Sequence, residues 1–445
     1  MKTMSPTAED YSVRSALLSF TAANVRSYRD ETQLALIASR LARAEIVQHL
    51  HWEAGDRTVP VLPAAGVFGA NASGKSTILR AMGDMRALVL GSFRHGTAST
   101  LIPRKPFQLD SQSADQSTRF EIDLVLNGVR WQYGFEIDDR TVLAEYAFYF
   151  PNGRQASVFE REGETISFGK AFRSDGRLLE RLLRPNALLV SVAGAAGRSG
   201  LEQLFAWFQS NLLLAESSNR NWRALRTADL AQSDESRERV LALLCAADLG
   251  ITDISREPVP AELRSHLERV LSGDDEDLDD DEVQLFIEDR LRLTHCGEGE
   301  CADFDAEDES LGTMVWVGLV GPVLDALDRG DVLLADELDA SLHPHLVDQV
   351  VALFQNPATN PNCAQLVFNA HDVTVLGDSE HRLLGRDQIW FTEKDSDGAT
   401  TLYPLADFSP RKDEALERRY MQGRFGALPV LDPGEFTRAA TLVDS

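Results

Sequence analysis

A nine-residue stretch, GANASGKST from Gly69 to Thr77, constrains the fold of this 445-residue chain more than any other feature. It fits the pattern G-x-x-x-x-G-K-[ST]. It also follows a short apolar strand predicted from about Val59 and opens an amphipathic helix, which is the context that this pattern requires. Backbone N–H groups of such a loop converge on phosphate oxygens, and the helix N-terminus adds partial positive charge. The stretch therefore predicts a phosphate-binding turn in an α/β fold.

Different residues of this loop are expected to hold different parts of ATP. Gly69 and Gly74 let the chain turn and approach the phosphates closely. Lys75 supplies a positive charge to the terminal phosphates, and the Ser76 hydroxyl completes the shell of a Mg²⁺ ion. The residues predicted to bind the nucleotide here are Gly69, Asn71, Ala72, Ser73, Gly74, Lys75, Ser76 and Thr77.

Two adjacent carboxylates, Asp336 and Glu337, follow the apolar run VLLA. Desolvating an unpaired carboxylate is costly, so a strand that ends on two acids requires either exposure or a positive partner. A Mg²⁺ ion that bridges nucleotide phosphates would offset the charge of Asp336. Glu337 is then free to orient or deprotonate the attacking water. The pattern predicts ATP hydrolysis, with Ser76 and Asp336 as metal ligands and Glu337 as the base.

Two more polar elements are candidates for the same chemistry. His371 ends the predicted strand AQLVFNAH, where its side chain would reach the γ-phosphate or the nucleophilic water; the alternative is an ordinary surface histidine. Upstream, ESLGT begins a long predicted helix. Its Ser310, its Gly312 and the helix N-terminus are expected to hold a phosphate of a second nucleotide.

Hydrophobic periodicity predicts the organisation around these motifs. Residues 17–37 are typical of two strands joined by a turn, and 107–161 of an antiparallel meander. Residues 176–269 have the period of helices. From 314 to 371, helices and strands alternate, which favours a parallel sheet. The predicted units are an N-terminal lobe at 1–175, a helical insertion at 176–290 and a C-terminal lobe at 291–445.

Composition narrows the remaining possibilities. The N-terminus lacks the order of a secretory signal and no run of 18 apolar residues occurs, so a cytoplasmic protein with no membrane role is expected. The net charge of −26 opposes broad nucleic-acid binding. The cysteines are too few for a disulfide scaffold and are predicted to be reduced; a metal site at His295, Cys296 and Cys301 is the less favoured alternative. The acidic run at 272–282 is interpreted as a solvated loop, or alternatively as a docking or cation-binding loop.

The order of these motifs resembles the ABC-type ATPases of the RecF, SMC and overcoming-lysogenization-defect (OLD) group. The resemblance implies an ABC-type P-loop fold with a mixed or parallel core sheet, a β-meander and an inserted helical subdomain. It further implies a head-to-tail homodimer with ATP between protomers, higher assembly being left open. ELDASLHP, from Glu337 to Pro344, is similar to the group's continuation of the acidic pair and would place Asp339 in the loop that couples the two sites.

The tail motif YMQGRFGALP, from Tyr420 to Pro429, looks like the stand-alone prokaryotic branch found in abortive-infection and restriction-linked defence operons. Members of that branch act beside a separate effector, so a TOPRIM or RloB-like nuclease is the expected partner. SLGT departs from the fuller signature LSGGQ of transporters. The glutamine of the group's Q-loop is left open among Gln108, Gln112, Gln116 and Gln132.

Two other functions fit parts of the sequence. A RecF- or SMC-like ATPase of DNA repair would bind DNA ends through a basic groove, for which Arg418, Arg419 and Arg424 are candidates unless they pair with acids. Whether nucleic acid is bound therefore stays open. The ATP-binding subunit of a membrane transporter is disfavoured by the large inserted region and the divergent signature.

Overall fold

Two large β-sheets organise the molecule. The computed structural model describes residues 15–39, 42–43, 45–51, 58–197, 200–258, 289–377, 382–411, 414–429 and 432–441. The strands of these ranges are β1 (Ser15–Ala23), β2 (Thr32–Ala35), β3 (Gln48–His51), β4 (Thr58–Val61), β5 (Ala64–Gly69), β6 (Thr118–Leu126), β7 (Val129–Ile137), β8 (Val142–Tyr149), β9 (Ala156–Glu162), β10 (Thr165–Phe168), β11 (Leu212–Ala215), β12 (Ile251–Pro258), β13 (Asp289–Cys296), β14 (Cys301–Asp305), β15 (Val332–Ala335), β16 (Gln365–Asn369), β17 (Ile389–Lys394) and β18 (Thr400–Pro404).

Helices cover both faces of the six-stranded sheet and one face of the seven-stranded sheet. They are α1 (Lys75–Gly91), α2 (Ser111–Asp115), α3 (Arg173–Glu180), α4 (Leu189–Ala196), α5 (Glu202–Ser210), α6 (Arg220–Gln232), α7 (Arg237–Ala246), α8 (Leu311–Arg329), α9 (Pro344–Gln355), α10 (Leu416–Met421) and α11 (Pro433–Ala440). By length and composition α8 is apolar enough to cross a membrane, but 72% of that stretch is buried inside the molecule. It packs against α6 as a core helix.

The core sheet has the strand order β11-β15-β16-β5-β17-β18, and its first five strands run parallel. β15 and β16 are buried throughout, as expected for parallel strands covered on both faces. Alternate residues face different cores: Val67 and Val367 pack with α1, whereas Phe68 and Phe368 pack with α8 and α9. This sheet confirms the parallel arrangement predicted from the helix–strand alternation.

The second sheet is antiparallel, with the order β10-β9-β8-β7-β6-β1-β2. β1 and β2 pair across the turn at residues 24–31, and β6 to β9 form a meander. The predicted hairpin and meander are thus confirmed, and they share one sheet. Together with the core sheet they confirm an α/β fold with a mixed core sheet, an antiparallel meander and a largely helical inserted region.

Several predictions at element level are wrong. The run at Leu212–Ala215 reads as the end of a helix but forms β11, the edge strand of the core sheet beside β15. The strand predicted from Val59 is two strands: β4 pairs with β3, and β5 begins after the break at Leu62 and Pro63. In each case the sequence correctly predicts a buried apolar segment, but its secondary structure is decided by the strand with which it pairs. The acidic run at 272–282 lies outside the described residues.

The prediction of reduced thiols is also wrong for one pair, and so is the metal alternative. Cys296 and Cys301 form a disulfide. They are directly opposite each other in the β13–β14 hairpin, which brings their side chains together. His295 does not join them: its Nε2 lies 2.6 Å from Oε1 of Glu309. Cys245 and Cys363 are not in disulfides.

Candidate functional site

The carboxyl ends of three neighbouring strands bring the predicted residues together. β16 lies between β5 and β15 in the parallel sheet. The loop at 69–74 follows β5, and Asp336 and Glu337 follow β15, so both converge on the end of β16 at Asn369. Ligands of open α/β sheets bind at this edge.

The phosphate loop is shaped so that two of its residues must be glycine. Gly74 has φ +104°, and a Cβ there would lie 2.5 Å from Oγ1 of Thr400. A Cβ on Gly69 would lie 2.5 Å from the carbonyl oxygen of Thr392. Ala72 adopts φ 61° in the left-handed region, and Asn71 beside it is exposed. The loop is thereby pressed against β17 and β18 while its tip faces solvent.

Hydroxyl contacts fix the rest of the loop. Ser73 Oγ lies 2.7 Å from Oγ1 of Thr392, and the Ser73 carbonyl accepts a bond from Thr400. Thr77 Oγ1 accepts a 3.2 Å bond from Ser27 in the turn after β1. The loop and the start of α1 are therefore held by three separate parts of the chain.

Lys75 is buried, with 5% of its surface exposed. Its Nζ donates to the carbonyls of Gly69 at 2.9 Å and Ala70 at 3.0 Å, so it folds back over the loop. Burial lowers the pKa of this ammonium, while the nearby carboxylates of Asp339, Glu337 and Asp336 oppose that shift. The charge thus lies among the acids that the sequence predicted to face it.

Asn369 was missed by the sequence reasoning, which selected His371 two residues later. Its side-chain amide donates 2.6 Å to Oδ1 of Asp336 and 3.3 Å to Oγ of Ser76. Its amide oxygen accepts a 2.6 Å bond from the backbone N–H of Glu337. One fully buried side chain therefore joins both expected metal ligands and the expected base. The only sequence signal was a polar residue closing a buried strand.

A cation from α1 also contacts this centre. Arg80, 46% exposed, donates 3.0 Å to Oδ2 of Asp336, and its Nε lies 3.7 Å from Glu216. Both carboxylate oxygens of Asp336 thus have a donor. Arg80 lies five residues after Lys75, on the helix that the phosphate loop opens, but nothing in its sequence context pointed to Asp336.

The loop after the acidic pair is tightly constrained. Glu337 has φ 55°, a left-handed conformation that is uncommon outside glycine. Asp339 Oδ2 accepts bonds from the backbone N–H groups of His371 at 2.8 Å and Asp372 at 2.7 Å. The other oxygen of Asp339 is buried without a hydrogen-bond partner. The His371 residue itself is exposed, so Asp339 fixes its backbone and leaves the ring in solvent.

The predicted signature residues lie at the start of α8. The Ser310 hydroxyl caps the helix, accepting from the backbone N–H of Thr313 at 3.1 Å. A Cβ on Gly312 would lie 2.6 Å from the carbonyl oxygen of Ser341, so the signature turn packs on the loop that follows Asp339. Ser310 and Leu311 are exposed. Both hydrogen bonds of the Ser310 hydroxyl that the structure describes run to Thr313, at the same helix start.

The four glutamines that are candidates for the Q-loop lie in different parts of the structure. Gln108 is exposed and follows Phe107, whose N–H donates to Asn24 in the turn beside Thr77. Gln132 instead lies within the meander and donates to Glu121. Gln112 and Gln116 lie in and after α2, where their backbones are hydrogen-bonded.

The C-terminal arginines behave differently from one another. Arg419 pairs with the buried Glu414, as the ion-pair interpretation predicts. Arg418 and Arg424 are exposed. Of the three candidate arginines, two are therefore exposed to solvent.

These features define the class: a phosphate loop, an Asp-Glu pair and a polar strand end on a parallel sheet are those of a P-loop ATPase. The chain belongs to the AAA_21 family, described as "AAA domain, putative AbiEii toxin, Type IV TA system", which matches residues 64–377. No curated protein matches the chain.

Solved structures with a similar fold include heads of SMC proteins. An SMC head bound to the C-terminal winged-helix domain of ScpA has 12% identity and a TM-score of 0.40, over 91% of this chain and 99% of that one. The SMC head domain from Thermotoga maritima has 13% identity and a TM-score of 0.37, over 87% and 98%. An Smc head with an extended coiled coil, bound to the C-terminal domain of ScpA derived from Pyrococcus furiosus, has 13% identity and a TM-score of 0.38, over 92% and 99%.

Proposed function

We propose that this chain binds and slowly hydrolyses ATP with Mg²⁺ in a head-to-tail homodimer, and that this dimer controls a separate effector in prokaryotic anti-phage defence. The observation that carries the ATPase part is the single amide of Asn369, which contacts the side chains of Ser76 and Asp336. Oxygen ligands of this kind suit Mg²⁺.

The residues present fit a magnesium nucleotide. Gly69 and Gly74 leave no room for a Cβ, so their backbones form a bare cradle, and the buried Lys75 ammonium lies over it. Ser76 and Asp336 would hold the Mg²⁺. When bound, that ion polarises the phosphoryl oxygens and neutralises charge that develops on them.

The other groups of the site bind, orient and accept a proton. The backbone N–H groups of residues 71–76 bind phosphate oxygens, and Lys75 adds a point charge. Glu337, held by Asn369 through its backbone N–H, accepts a proton from the attacking water. His371, whose N–H is anchored by Asp339, would contact the γ-phosphate or that water.

The exposed start of α8 supports the dimer. The Ser310 hydroxyl, Leu311 at 53% exposure and the N-terminal end of a 19-residue helix form a surface that can bind an anion. We place the nucleotide of the facing protomer there. Gly312 packs on the loop that follows Asp339. Binding of a nucleotide at the signature turn would therefore change the conformation of the loop beside the protomer's own nucleotide site.

The defence role rests on the family description as a putative AbiEii toxin of a type IV toxin–antitoxin system and on the tail motif. The net charge of −26 favours a protein partner over nucleic acid. The expected effector is a TOPRIM or RloB-like nuclease encoded nearby. Co-expression with the product of the neighbouring reading frame should give an ATP-dependent complex; a replication or repair gene in that place would contradict the assignment.

ATP turnover and ATP binding by the wild type and Glu337→Gln test the ATPase assignment. The variant should lose turnover, retain ATP and remain dimeric in analytical ultracentrifugation, since it lacks only the base. Glu160→Gln, on the exposed face of β9, is the matched control and should behave as wild type. Equal, substantial rates for wild type and Glu337→Gln would refute Glu337 as the base.

One observation keeps a second function, the DNA-end-binding ATPase, in view: Arg418 and Arg424 are exposed. A gel shift over a salt series separates the two functions, because phosphate contacts make affinity fall steeply with salt. Salt-sensitive DNA binding that is lost in Arg418→Ala with Arg424→Ala would favour the DNA-binding ATPase over the regulator.

A further inference from the structure

Asn369 is the point at which three separate segments of the site meet. It is the last residue of β16, and its backbone pairs with Val67 of β5. The strand on its other side, β15, leads directly into Asp336 and Glu337. A side chain at this place reaches both the loop after β5 and the acids after β15, which no residue of the flanking strands does by topology alone.

The chemistry of an amide matches what this position needs. Asp336 Oδ1 and Ser76 Oγ both take a donor, while the N–H of Glu337 takes an acceptor. An asparagine offers two N–H donors and a carbonyl acceptor on one short side chain. Aspartate would present no donor to Asp336, and serine would be too short to span the set. The backbone carbonyl of Asn369 also accepts from Leu338 at 3.1 Å.

The contact to Glu337 has a geometric role. Glu337 adopts φ 55°, and its N–H and the next N–H, that of Leu338, both bond to Asn369. Sparsely populated backbone conformations persist only where the surroundings over-determine them. These two hydrogen bonds, both accepted by Asn369, therefore fix the direction in which the Glu337 side chain leaves the backbone.

We infer that Asn369 is a positioning residue that sets the two magnesium ligands and the base relative to one another. This inference rests on the proposed ATPase function. Asn369 acts through Ser76, Asp336 and Glu337 and does not itself touch the reacting atoms. Residues that orient metal ligands typically change metal affinity or activity by about 10- to 100-fold when removed.

Asn360, in the segment that leads into the same strand, supplies a matched control. It is 1% exposed, and its side chain bonds the carbonyls of Phe354 and Ala364 and the N–H of Ala364. Asn369→Ala and Asn360→Ala thus delete the same buried amide, one beside the proposed site and one remote from it. Both should lower the melting temperature.

The test measures the Mg²⁺ concentration that half-saturates binding of a fluorescent ATP analogue, together with kcat and KM. Asn369→Ala should raise the Mg²⁺ requirement and lower kcat, each by roughly 10- to 100-fold, while Asn360→Ala leaves both within about twofold of the wild type. If Asn369→Ala fails to fold, Asn369→Ser replaces it. Wild-type values in an active, folded Asn369 variant overturn the inference. A wild type that neither binds nor hydrolyses ATP overturns the proposed function instead.

Discussion

Replacing Gly74 by alanine tests whether the phosphate loop has the shape described. At φ +104° an L-residue is strained by about 1–2 kcal/mol. The new methyl would also lie 2.5 Å from Oγ1 and 2.7 Å from Cγ2 of Thr400, and 3.0 Å from Oγ of Ser27. Overpacking of this kind costs about 1–3 kcal/mol. The free energy of unfolding should therefore fall by about 2–5 kcal/mol.

Gly163→Ala isolates the backbone part of this effect. Gly163 has φ +57°, and a Cβ there meets nothing within 4 Å. The free energy of unfolding of Gly163→Ala should therefore fall by only about 1 kcal/mol. Urea unfolding of both variants gives the two free energies, and titration with a fluorescent ATP analogue gives their affinities. Gly74→Ala should lose ATP binding while Gly163→Ala retains it. Equal unfolding energies together with wild-type ATP affinity in Gly74→Ala would refute the close packing of the loop on Thr400.

Three other changes test separate parts of the site and core. Arg80→Gln removes the ion pair of Arg80 with Asp336, which competes with Mg²⁺ for that carboxylate. Because a half-exposed ion pair contributes about 0.2–1 kcal/mol, the Mg²⁺ concentration for half-maximal ATP binding should fall by about 1.5- to 5-fold; a higher concentration would contradict this. His371→Ala should keep the free energy of unfolding within about 0.5 kcal/mol of the wild-type value but reduce ATP turnover. Unchanged turnover would refute a role for His371 in hydrolysis. Burial raises the pKa of Asp331 to about 6, so its contribution to stability is fully present below its unfolded pKa of about 4 and is lost as pH rises through 6, by about 3 kcal/mol. Asp331→Asn should flatten the urea midpoint between about pH 4 and 8, and an unchanged pH slope would refute that origin.

The sequence predicted those parts of the site that depend on local chemistry. The glycine spacing around Lys75 and the acidic pair at Asp336 and Glu337 carry their own signals, because a tight turn needs glycine and a strand ending on two acids needs either exposure or a positive partner. The convergence of both on one sheet edge followed from the helix–strand alternation. Ser310 lies at the start of a helix, as predicted, and its hydroxyl caps that helix.

Other parts depend on tertiary pairing and carried no local signal. Asn369 belongs to a segment whose sequence predicts a buried strand. Its contacts to the site depend on the position of β16 between β5 and β15, which the local sequence does not indicate. Arg80 looks like any exposed helix residue until Asp336 is opposite it. β11 was predicted as helix because three leucines fit either period, and only its pairing with β15 decides. The cysteine pair was misread because its cross-strand register is set by the β13–β14 hairpin.

The central claim is that Ser76 and Asp336 act as one Mg²⁺ site beside Lys75. The most direct measurement is a double-mutant cycle with Ser76→Ala, Asp336→Asn and the double variant, following Mg²⁺-dependent binding of a fluorescent ATP analogue. Each single variant should abolish most of the Mg²⁺ enhancement of ATP affinity, and the double variant should be little worse than either. Additive losses, or an Asp336→Asn variant that keeps the full Mg²⁺ enhancement, would contradict the account.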